Sequence, residues 1–84
     1  MDKLTLFTKD KCIYCVWLKE KLDDWGYEYV QLNNHPLPTG KDTYPQLYYR
    51  DQDVQQGSST DLTENVLLDR VERLTWPRLD SGIE

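Results

Sequence analysis

The chain has 84 residues, 38% apolar and 30% charged, with a formal net charge of −5. One small domain with a lean core is expected at that length, helped by the large contact areas of six tyrosines and three tryptophans. The acidic balance argues against nucleic acid as a partner, and no apolar run approaches the roughly 20 residues of a membrane span.

KLTLFT (Lys3–Thr8) alternates Leu4 and Leu6 with Thr5 and Phe7 and reads as a strand. After a polar KDK turn, Cys15, Leu18, Leu22 and Trp25 recur at spacings of three and four. That is one face of a helix from Cys12 to Trp25, with Lys19, Glu20, Lys21, Asp23 and Asp24 on the other. Gly26 stands where a helix end favours glycine. YEYVQL (Tyr27–Leu32) is aromatic, β-branched and alternating, a second strand. NNHPLPTGKDTYP carries three prolines and a glycine and must be loop. QLYY (Gln46–Tyr49) reads as a third strand, RDQD as a hairpin turn, and Val54–Gln56 as a short fourth strand. GSSTDL opens the last helix, with Ser58 or Ser59 as its cap and Asp61 in its first turn. Leu62, Val66, Leu67, Val71 and Leu74 form its buried stripe and Pro77 its stop. One domain over residues 1–76 and a loose tail over 77–84 are expected. The order is β-α-β-β-β-α: a right-handed parallel βαβ unit followed by an antiparallel hairpin. An α/β chain with a mixed four-stranded sheet and helices packed on it matches a minimal thioredoxin-like fold.

Both cysteines of the chain lie in Cys12-Ile13-Tyr14-Cys15. By spacing alone the pair suits a structural clip, half of a metal site, or a reversible redox switch. A secretory signal is not visible in MDKLTLFTKDKC, so a cytoplasmic location is expected, where lasting structural disulfides are disfavoured. A bridge across so short a loop also restrains the unfolded chain little. Zinc wants four ligands, and the single His35 falls in the proline-rich loop, so no metal is expected. If the helix starts at Cys12, its sulfur meets free N–H groups, the positive end of the helix dipole, and the charges of Lys9 and Lys11. Such surroundings lower a thiol from about 8.5 to roughly 3.5–7.5 in pKa. Cys15, one turn on, shares the buried face with Leu18. Cys12 is thus expected to attack and Cys15 to resolve the mixed disulfide.

LFTKDKCIYC, TYPQLYY and GSSTDL together resemble the glutaredoxin family, in particular its short bacterial and phage members, across roughly residues 3–74. The resemblance implies a glutathione-dependent thiol–disulfide oxidoreductase with Cys12 as nucleophile, Cys15 as resolving cysteine and Tyr14 beside the thiols. It implies a glutathione site in which Lys9 approaches the glycine carboxylate. There the backbone of Tyr44, before a cis Pro45, pairs with the glutathione cysteine. Gly57, Ser58, Thr60 and Asp61 would receive the γ-glutamyl end. It further implies glutathione as reductant, disulfide-bearing clients such as ribonucleotide reductase, a monomer, and a potential of about −200 to −230 mV.

The sequence also departs from the family. Ile13 stands where the active-site proline is usual, Tyr44 replaces a valine, and Ser58 replaces a glycine. The segment before Pro45 is too short for the long helix most relatives carry there. Two other readings therefore stay open. One is a thioredoxin-like dithiol donor served by thioredoxin reductase. The other is a non-catalytic binding protein, or one holding an iron–sulfur cluster.

Overall fold

The computed structural model describes residues 3–75. Its elements are β1 (Leu4–Thr8), α1 (Ile13–Asp24), β2 (Tyr29–Asn33), β3 (Gln46–Tyr49), β4 (Gln52–Asp53), a 3-10 turn (Ser59–Asp61) and α2 (Glu64–Thr75). The expected stop at Pro77 and the tail over 77–84 lie outside the described residues. One mixed sheet has the order β2-β1-β3-β4. β1 runs parallel to β2 (Leu4 opposite Tyr29) and antiparallel to β3 (Leu6 opposite Leu47). This is the α/β, thioredoxin-like architecture expected from the order of elements.

The register decides what is buried. Leu4, Leu6, Leu47 and Tyr49 share one face of the sheet, and Leu18 and Leu22 of α1 and Leu67 of α2 close over them. Each fully buried leucine stabilises the fold by about 1.5–3 kcal/mol. Trp17 and Trp25 pack half-buried at the edge of this cluster. On the opposite face, Phe7 stacks tilted against His35 and edge-on against Tyr48. Residues 34–45, which cross from β2 to β3, form neither helix nor strand, as their proline content dictates.

Helix α1 ends as its sequence predicts. Trp25 is the C-cap, and Gly26 takes the left-handed φ of +81° while its N–H reaches Asp23 O at 3.1 Å.

Three expectations are corrected. The second strand is Tyr29–Asn33, not Tyr27–Leu32, because the chain leaving α1 at Gly26 pairs with β1 only from Tyr29, opposite Leu4. The fourth strand is Gln52–Asp53, not Val54–Gln56. Arg50 and Asp51 both have positive φ (52° and 63°), the geometry of a two-residue primed turn, so pairing resumes at Gln52 opposite Tyr49. The Asp53 carboxylate then accepts the N–H groups of Gln55 and Gln56, both at 2.9 Å, and bends the chain out of the ladder. Val54 is buried, but it belongs to the core rather than to a strand. The last helix also starts later than expected. Ser58 caps only the 3-10 turn, by accepting Thr60 N–H at 3.3 Å. Leu62 is extended, and α2 is capped instead by the Thr63 hydroxyl, which accepts Val66 N–H at 3.2 Å.

Candidate active site

β1 delivers the chain to the start of α1, where Cys12 is the N-cap residue with extended backbone. Its sulfur accepts the Cys15 N–H at 3.1 Å, so it takes up one of the helix's otherwise unpaired first-turn donors. Lys11, just before it, sits at a left-handed φ of 56°, which turns the loop sharply into the helix. Cys12 and Cys15 form a disulfide with Cα atoms 5.2 Å apart, inside the range that bridging needs. Cys15 is buried at 3% exposure and Cys12 is half-buried. The asymmetry expected from sequence, one reachable sulfur and one sheltered, is present. Such a pair can open and close with little backbone movement.

Beside the pair runs a groove of about 360 Å³ lined by Tyr14, Tyr44, Pro45, Gly57, Ser58 and Thr60. Residues from three separate stretches of sequence thus meet on one side of the cysteines. The Tyr44–Pro45 bond is cis. The Tyr44 hydroxyl donates to His35 O at 2.9 Å, and the Lys9 ammonium lies 5.7 Å from the centre of the Tyr44 ring. Lys9 and Tyr44 therefore form one corner of the site. Gly57 adopts φ +133°, open essentially to glycine alone, at the other end. Asp61 is exposed at the end of the 3-10 turn, one residue beyond the groove lining. Tyr14 and Ile13 are exposed at 57% and 81%.

Two glutamines that sequence reasoning passed over hold this groove in shape. Gln55 is buried at 4% exposure, and its amide donates to Pro45 O at 2.9 Å and to Gly57 O at 2.8 Å. It ties the proline loop to the glycine loop across the groove floor. Gln46, also buried, donates from its amide to both the carbonyl and the hydroxyl of Thr43. Gln46 has a faint signal in the sequence, a polar side chain before the apolar LYY, and Gln55, in the polar DVQQG, has none.

Charge is arranged with similar economy. The Asp53 carboxylate is pushed up by partial burial. That push is outweighed by hydrogen bonds from Lys41 (2.6 Å) and from the Gln56 and Gln55 backbone, so its pKa lies below the ordinary value. Asp10, beside the cysteines, is lowered by the side-chain amides of Asn33 and Asn34. Among the described residues, no group of three or more His, Cys, Asp or Glu is placed to hold a metal ion. No described helix is long and apolar enough to cross a membrane.

The fold and the site define the class: a thioredoxin-like α/β domain with a closed C-x-x-C pair at the N-terminus of its first helix. The solved structure of glutaredoxin 1 from Francisella tularensis, complexed with cacodylate, is similar to it in fold. The TM-score is 0.57 at 14% identity, over 89% of this chain and 98% of that one. No protein-family model and no curated protein sequence matches the chain.

Proposed function

We propose that this protein is a glutathione-dependent thiol–disulfide oxidoreductase. The observation that carries the reading is the Cys12 sulfur: half-buried, capping α1, accepting the Cys15 N–H, and within bridging distance of Cys15. In the reduced protein a Cys12 thiolate would keep that N–H donor and the helix dipole.

The Cys12 thiolate attacks one sulfur of a client disulfide, the client bond breaks, and its other sulfur leaves as thiolate and takes a proton from water. The Cys15 thiolate attacks the Cys12 sulfur of the mixed disulfide, releasing the second client thiol and closing Cys12–Cys15. Two electrons have passed to the client. Two glutathione molecules return them in two further exchanges, leaving glutathione disulfide.

The groove supplies the glutathione site of this reading. The Tyr44 backbone before Pro45 pairs with the glutathione main chain like a rung of sheet. Lys9 meets a carboxylate, and Ser58, Thr60 and Asp61 meet the γ-glutamyl end. Gly57 keeps that end open, and Tyr14 flanks the sulfur. Ribonucleotide reductase and glutathionylated proteins are the client class. A monomer in the reducing cytoplasm is the working state that goes with this reading.

The test is turnover of the mixed disulfide between glutathione and 2-mercaptoethanol, coupled to glutathione, glutathione reductase and NADPH. NADPH oxidation that vanishes in Cys12→Ser is expected. No turnover in this system, with turnover when thioredoxin reductase replaces glutathione and its reductase, would overturn the glutathione reading in favour of a thioredoxin-like dithiol donor.

A further inference from the structure

A second and larger groove, of about 800 Å³, takes in both cysteines and lies against the C-terminal ends of β1 and β2. Lys11 and Lys19 line it with Cys12, Ile13 and Val16, and Lys9, whose ammonium lies over the Tyr44 ring of the first groove, borders both. None of the three lysines makes a salt bridge to another described residue within 4 Å. The one acid in the lining, Asp10, has both carboxylate oxygens turned to neighbouring amides: Asn33 Nδ2 at 2.9 Å and Asn34 Nδ2 at 3.1 Å. Those bonds keep Asp10 ionised, so three lysines against one carboxylate leave the groove locally positive on a chain whose net charge is −5. Its rim is apolar, with Ile13 81% and Val16 54% exposed, and both side chains flank the sulfur pair.

We propose that this groove docks the polypeptide of the client, and that it selects a segment with an acidic residue about three positions from the reacting cysteine. The proposal rests on the redox reading for the client's disulfide, but its charge preference stands on the groove alone. Charge complementarity names the occupant. Lysines with no salt bridge to another described residue, beside an apolar rim, suit an extended acidic strand, and the net negative charge of the chain disfavours other orientations of the same client. Helix geometry gives the spacing. Lys19 is seven residues beyond Cys12, about 10 Å along the α1 axis at ~1.5 Å per residue. An extended peptide covers that distance in about three residues at ~3.3 Å each. Nucleic acid fits poorly, because three lysines on an acidic protein cannot sustain phosphate tracking.

The experiment uses the oxidised protein, which has no free thiol to react. ¹⁵N-labelled protein is titrated with three redox-inert decapeptides bearing serine at the cysteine position. At the third residue from it they carry Glu, Gln or Lys. The Glu peptide is expected to shift the amides of Lys11, Ile13, Val16 and Lys19. It should bind about fivefold more tightly than the Gln peptide, and 0.5 M salt should erase the preference. Lys19→Glu is expected to reverse the preference while leaving turnover of the small glutathione mixed disulfide unchanged. Equal binding of the Glu and Gln peptides overturns the proposal. So do shifts confined to Tyr44 and Gly57, an unaltered preference in Lys19→Glu, or tighter binding of a ten-nucleotide single-stranded DNA to the same amides. Acid-selective peptide binding by a protein without glutathione turnover would sustain the docking surface and refute the glutathione reading, so the two fail separately.

Discussion

Replacing Gln55 with leucine removes the clamp between the two loops that line the groove beside the cysteines. The side chain is buried, and its amide is the donor to Pro45 O (2.9 Å) and Gly57 O (2.8 Å). Each hydrogen bond contributes about 1 kcal/mol net, and a buried acceptor left without a donor costs about 1–3 kcal/mol. Pro45 O loses its donor in a buried setting; Gly57 O is partly exposed and recovers water. The Gln55 Oε1 has no partner among the described residues, so leucine forfeits nothing there and gains apolar contact of similar volume. The balance is a loss of about 1.5–2 kcal/mol. In a domain of this size that lowers Tm by roughly 6–15 °C. Thermal unfolding of the oxidised protein, followed by far-UV circular dichroism, reads the loss. A parallel coupled assay should show KM for the glutathione mixed disulfide raised severalfold, while the alkylation rate of reduced Cys12 holds. A Tm within 2 °C of wild type, or equal losses in KM and in Cys12 reactivity, would refute the claim that Gln55 acts by holding the loops together.

Three further outcomes test the site and its support. The reduced protein should alkylate at Cys12 with a midpoint well below the ~8.5 of a free thiol, and Lys11→Gln should raise it; a wild-type midpoint near 8.5 would remove the basis for a stabilised thiolate. Gly57→Ala should cost about 1–2 kcal/mol by chemical denaturation, because no atom crowds the added methyl while φ +133° penalises any Cβ. An unchanged denaturation midpoint would mean that the loop relaxes freely. Asp53 has its folded pKa depressed below its unfolded value, so it contributes stability above about pH 4 that is lost as pH falls through the folded value. Tm measured from pH 7 down to 2.5 should therefore fall more steeply for wild type than for Asp53→Asn, and parallel curves would contradict that assignment.

Much of this architecture could be read from local pattern. α1 buries the stripe of Cys15, Leu18 and Leu22 that its periodicity announces, Gly26 marks its end, and β1 and β3 follow from their β-branched and aromatic runs although both faces of each are largely buried. The misplaced elements are those where a tertiary or turn preference overrides composition. Val54 looks like a strand residue because it is apolar, yet the ladder is set two residues earlier by an Arg-Asp turn with positive φ at both positions. Neither residue advertises that geometry as Asn-Gly would. Ser58 looks like the cap of the last helix because serine before an acid is the usual signal, but its partner is a 3-10 turn, and Thr63 starts the helix. At the site, the C-x-x-C pair and its asymmetry were legible because strand, turn and helix are contiguous there. The clamp of Gln55 was not, since its partners are Pro45, ten residues upstream, and Gly57, and glutamine carries no motif that points to a carbonyl across a fold. The grouping of the three lysines was likewise hidden: two precede the helix, one follows two turns into it, and only the rise of α1 brings them to one groove.

The bond from Cys15 N–H to the Cys12 sulfur has a wider consequence. The donor belongs to the first turn of α1 and is held there by the helix itself. A reduced form built on the same backbone would find its solvating group already aimed when charge arrives on the sulfur. On that backbone the proposed exchange would need little rearrangement, and the two redox forms would share one shape. A partner that must tell the two forms apart has to sense the sulfurs themselves, by charge or by covalent capture.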